Sequence, residues 1–183
     1  MEDIYWDYFL ALEDDFAQTT RFVEIDKRNH STFSLEFVKL LLSVGSEIDV
    51  VCKELCHHID NSNSPKNINE YKEIILGRFP LISTTPVMLA RYKEKIIPWE
   101  SWSKGSNPGW WKAYNNVKHH RNKSYNDANQ INVMHAMSAQ LVLVLYLYRL
   151  VNSDEHKRGT KIFDAPGMGS LLICKSEESL PDF

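Results

Sequence analysis

Lys112, Lys118, Arg121 and Lys123 fall within one twelve-residue run, with Asn115, His119 and His120 set among them. Imidazole is the side chain that takes up and returns a proton near neutral pH. Ammonium and guanidinium groups hold phosphate oxygens. These are the parts needed to cut a phosphodiester without a metal: a base for a 2′-hydroxyl, an acid for the leaving oxygen, and cations for the charge gathering on the phosphate. In that scheme His119 is the base or acid, and Lys118 and Arg121 grip the phosphate. Asn115, one helical turn earlier, orients the imidazole or a nucleotide. Trp111, Tyr114, Lys112 and Lys123 add the ring surface and charge that RNA binding uses. The competing reading is a satisfied polar network that locks this segment to a neighbouring helix.

The segment opens just after Pro108-Gly109, which reads as a helix start. On that helix Trp111, Asn115, Lys118, His119 and Asn122 share a face, and Tyr114, Lys118 and Arg121 form an overlapping stripe. Glu47 and Asp49, on an earlier helix, are candidates to pair with Lys118, His119 or Arg121 across an interface.

The elements that must position these residues are helical. Residues 3–18 carry Ile4, Tyr8, Leu12 and Phe16 at i, i+4 spacing, with Tyr5, Phe9 and Leu10 widening the stripe, an amphipathic pattern. Residues 21–30 lose it and read as a loop, with Lys27, Arg28, Asn29 and His30 exposed. Ser34 is a fitting N-cap for a helix over 35–59, lined by Phe37, Leu40, Leu41, Val44, Ile48, Val51 and Leu55. A short helix over 69–76 stops at Gly77. Residues 79–102, broken by Pro80, Pro86 and Pro98, read as an irregular insertion with a short hairpin. After a break near Ser124-Tyr125, a helix over 127–150 is apolar around most of its circumference and should be the buried centre. The fold expected is mainly α, a bundle of about four to five helices with small β-hairpin-like appendages. Residues 1–156 form its helical domain, and 157–183 an appendage whose runs 161–163 and 171–174 could pair.

Length and composition (183 residues, 43% hydrophobic, 25% charged) fit an ordinary globular domain. The net charge of −3 is unevenly spread: residues 1–60 hold thirteen acids against five cations, whereas residues 101–126 hold five cations and no acid. A local basic patch on an acidic chain suits a phosphate-bearing partner. It would equally suit an internal contact with the acidic N-terminal helix. Three cysteines fit a reducing, cytoplasmic setting. No leader-like start is visible, and the most apolar run, 141–147, is short enough to be a buried helix rather than a membrane span.

Cys52, Cys56, His57 and His58 could offer a metal thiolates and imidazoles one helical turn apart. The two thiols fall beside an apolar stripe, however, where free cysteine behaves as a small hydrophobe, so no metal is expected. Neither a phosphate-cradling loop, nor a dinucleotide glycine fingerprint, nor a nucleophile elbow is present, and no cofactor is expected.

Trp110-Trp111-x-x-Tyr114-Asn115-x-x-Lys118-His119-x-Arg121, followed by an alanine-rich apolar helix, resembles the tryptophan- and Lys-His-bearing branch of the HEPN-like helical proteins. Ser46-Glu47-Ile48-Asp49 on the second helix fits the same likeness, which spans about residues 1–150. The resemblance implies a four-to-five-helix domain acting as an RNA-directed effector or accessory protein in phage defence or toxin–antitoxin systems. It implies a homodimer in the cytoplasm, RNA as target, an antitoxin or defence component as protein partner, and no membrane. Ribonuclease members carry an arginine and a histidine separated by four to six residues, and the motifs of two subunits meet at a cleft. Here Arg121-Asn122 begins that pattern without the histidine, and the matching spacing falls at Arg149 and His156 instead. The alternative is a non-catalytic protein-interaction module in which the same polar motif is structural.

Overall fold

The computed structural model of the chain describes residues 4–89, 92, 94–156 and 172–174. Ser34 starts the element on which the others pack. Its backbone is extended and its Oγ accepts from the Phe37 amide at 3.1 Å, which satisfies one donor of the first turn. The helix that follows, α2 (Leu35–Ile59), buries the whole expected stripe from Phe37 to Leu55. Each such side chain contributes about 1.5–3 kcal/mol relative to exposure.

The most extensive partner of α2 is α6 (Gln130–His156). Met134, Met137, Val142, Leu143 and Leu147 of α6 are buried, and they cover more than one face of it. Gln130–Val151 is long and apolar enough to cross a membrane, but 72% of its apolar window is buried within the fold. It is the central helix that the sequence implies.

The first helix, α1 (Ile4–Thr19), lies against α2 and α6 with its inner face turned from the expected one. Trp6, Phe9, Leu12, Glu13 and Phe16 are buried, while Ile4 and Tyr8 are 61% and 42% exposed. Both stripes share Phe9, Leu12 and Phe16. Turning the helix to bury the Trp6 indole beside Phe9 removes more apolar surface than burying Ile4 would. His30, expected exposed, is half-buried instead, with its Nε2 3.8 Å from Glu94.

The helix α3 (Ile68–Arg78) is capped by Asn67, whose side chain accepts from the amides of Asn69 and Glu70, and it runs through Gly77 rather than stopping there. The insertion that follows holds a 3₁₀ turn (Pro80–Thr84), β1 (Val87–Leu89), β2 (Glu94–Ile96) and the one-turn helix α4 (Glu100–Ser103). The expected hairpin is β1 against β2, with Val87 opposite Ile96. On its other edge β1 pairs antiparallel with β3 (Leu172–Cys174), giving a three-stranded sheet in the order β2-β1-β3. The 171–174 run is therefore joined to the insertion, while 161–163 lies outside the described residues. Buried Glu13 of α1 accepts from the Leu172 amide at 2.7 Å and so fastens β3 to the bundle. The architecture is mainly α, with six α-helices and this small sheet among the described residues.

Candidate functional site

The cationic segment forms α5 (Gly109–Ser124), which packs on α2 and α6. Its N-terminal half is an anchor. Trp110 is buried and donates from Nε1 to the Pro98 carbonyl at 3.0 Å. Its ring stands edge-on to Trp99, 5.1 Å between centroids, and Trp99 in turn lies 4.1 Å from Trp102. From Trp110 the ring contacts continue to half-buried Trp111 and on to Tyr114. The tryptophans are thus chiefly structural: Trp99, Trp102 and Trp110 lie in the core, and among the four Trp111 alone keeps ring surface at the exterior.

Tyr114, expected to meet RNA, is buried. A Cβ built at Gly45 of α2 would come within 2.3–2.6 Å of three Tyr114 ring carbons. Gly45 is therefore the place where the backbone of α2 admits the ring of α5. Gly45→Ala should lower stability by about 1–2 kcal/mol, because overpacking costs roughly 1–3 and the better helix former returns up to about 1. In a Tyr114→Ala background the same change should turn neutral or stabilising, as urea melts of the four-variant cycle will show.

The polar groups of α5 do not converge as the spacing suggests. Asn115 donates from its amide to the Trp111 carbonyl at 2.8 Å, within its own helix, and does not orient His119. Lys118 leans back on Tyr114, with Nζ 3.2 Å from the hydroxyl and 5.3 Å from the ring centroid. At His120 the backbone leaves helical values (φ −137°, ψ 36°), so residues 121–124 lose the phase of 110–119. The Tyr114–Lys118–Arg121 stripe is broken at that kink. Asp49 does not reach α5: it accepts from Tyr71 Oη at 2.8 Å and from Lys53. Glu47 is half-buried, and burial raises its carboxyl above the usual range.

What remains on the surface is charge. Lys112, Lys118, His119, His120, Arg121 and Lys123 are all exposed. Among the described residues no carboxylate lies within ion-pair distance of Lys112, Lys118, Arg121 or Lys123. The acidic residues described in α1 and α2 make no ion pair with them. A cavity of about 550 Å³ opens between α1 and α2, lined by Leu12, Val23, Phe37 and Leu40 with Asp15 and Glu36, and no residue of α5 lines it.

The cysteines of α2 are core groups. Cys52 and Cys56 are buried, and burial pushes the Cys56 thiol up to about 12 and the Cys52 thiol well above its ordinary value. His57 and His58 face solvent, with His58 beside Glu54 at 3.2 Å, so the four side chains do not converge on one point. Sequence reasoning missed one cluster, in which His30, Glu94 and largely buried His135 come together from a loop, a strand and α6. No local signal joins residues so distant in the chain.

Fold and site together define a mainly α domain that presents one exposed cationic helix. Set against protein-family models, curated proteins and solved structures, the chain matches none.

Proposed function

We propose that α5 binds the phosphate backbone of RNA, and that the chain is an RNA-directed effector or accessory protein of HEPN-like kind. The setting proposed is cytoplasmic phage defence or a toxin–antitoxin pair. The observation that carries this reading is the set of four exposed cations on one helix (Lys112, Lys118, Arg121 and Lys123) that have no carboxylate partner among the described residues. Surface charge of one sign without a countercharge attracts a polyanion.

His119 and His120, with ring centroids 6.4 Å apart, are the groups able to move protons beside those cations. In cleavage one imidazole accepts the proton of a 2′-hydroxyl as its oxygen attacks phosphorus. Another imidazole protonates the departing 5′-oxygen, and the cations balance the charge on the phosphate. In a homodimer a second copy would supply further imidazoles to a shared cleft. Asn115 has no orienting part in this scheme, since its amide is committed to Trp111.

Incubation with total RNA and tRNA, with and without chelator, tests the reading. Cleavage that resists chelator and disappears in His119→Ala or His120→Ala marks the catalytic form. Salt-sensitive binding without cleavage marks the accessory form. The rival is a protein-interaction module, and the Asn115–Trp111 and Lys118–Tyr114 contacts favour it because both hold polar groups inside α5. Intact RNA together with no salt-sensitive binding would leave that rival standing.

A further inference from the structure

With Tyr114 buried and Trp111 half-buried, a more exposed aromatic ring is found beyond the C-terminal end of α5. Phe33 is 51% exposed and sits in an extended stretch bridged to Asn129. Two further backbone bonds hold that stretch against the start of α6: the Gln130 amide donates to the Thr32 carbonyl at 3.0 Å, and the Ile131 amide to His30 at 3.2 Å. The Phe33 ring meets Tyr125 edge to face, with centroids 5.8 Å apart and planes at 83°. Tyr125 opens the 3₁₀ turn (Tyr125–Asp127) directly after α5, two residues beyond Lys123 and four beyond Arg121. A half-exposed phenyl ring, held by a second ring and by paired backbone, thus meets the residue that directly follows α5, two positions beyond Lys123.

Cations alone take any polyanion. A fixed aromatic face beside them selects one whose bases are free to stack, because a duplex hides its base faces within its own helix. We propose that the Phe33–Tyr125 pair is a base-stacking platform, and that the ligand of α5 is single-stranded RNA running from Lys112 toward Lys123 and onto Phe33. This rests on the RNA reading above and narrows it from any RNA to unpaired RNA.

The test is fluorescence anisotropy with a labelled RNA of about 12 nucleotides, within the span such grooves cover, as a single strand and in duplex with its complement. Wild type should bind the single strand more tightly. Phe33→Leu, which keeps apolar bulk but removes the π-face, should weaken single-strand binding roughly tenfold and leave the salt slope unchanged. Phe33→Trp should restore the affinity, and thermal melts of both variants check that the fold is intact. Lys123→Ala should instead lower the salt slope by about 0.7. Equal binding of strand and duplex, or a Phe33→Leu variant that binds like wild type, would overturn the platform and leave the RNA reading in place. Absence of salt-sensitive binding to either probe by wild type would overturn both.

Discussion

Trp99→Ala is expected to cost about 3–5 kcal/mol, the range for truncating a large buried aromatic. The side chain is fully buried, its Nε1 donates to the Ala139 carbonyl of α6 at 3.2 Å, and its ring touches those of Trp102 and Trp110. Removing it would open a cavity where the insertion, α5 and α6 meet. The damage should reach the site, because Trp110 is braced both by the Trp99 ring and by the Pro98 carbonyl at 3.0 Å. Urea melts give the magnitude, and hydrogen exchange in 109–117 should rise more than exchange in α3. A loss below about 1 kcal/mol would mean that the indole cluster does not carry α5, since such a loss is typical of a surface change.

Mild acid should weaken the fold by about 3 kcal/mol through one histidine. Burial first, and then the charge of His30, lower the His135 imidazole from 6.5 to about 4. The sign follows from which state holds the proton. Above pH 6.5 both states are neutral and the group adds no pH dependence. As pH falls from 6.5 toward 4 the unfolded chain is protonated and the folded chain is not, so stability drops across that window. Chemical denaturation at pH 7, 5.5 and 4.5 measures the fall. His135→Leu should flatten that limb, and an unchanged limb in the variant would place the acid sensitivity elsewhere.

Where signals were local, the sequence was readable. Ser34 and the stripe from Phe37 to Leu55 specified α2 to the residue, because a side-chain cap and a 3.6-residue period act within single turns. The face of α1 was misread because its aromatics lie all around the helix, and tertiary packing chose between two overlapping stripes. No reading along the chain pairs β3 with β1, since three-residue strands more than eighty positions apart leave no periodic trace. At the site the cations were legible as unopposed charge, but the break that keeps the motif's polar groups from converging was not. No Gly or Pro lies between Trp110 and Ser124 to announce the kink at His120. The fate of Tyr114 did have a signal: Gly45, in the middle of a long helix, marks a close approach. Phe33 lay in a segment with no pattern and acquires its place only through the Asn129 bridge and the Tyr125 ring.

If α5 is where RNA binds, the salt dependence of binding to a single-stranded oligonucleotide tests it most directly. Each cation on a single strand contributes about 0.7 to the slope of log affinity against log salt, so four contribute about 2.8. Affinity should then fall roughly 50-fold between 50 and 200 mM salt. In the variant with Lys112, Lys118, Arg121 and Lys123 all changed to Ala the slope should collapse toward zero with the fold intact. An equal slope in wild type and variant, or no salt-dependent binding by the wild type, would contradict an RNA-binding role for this helix.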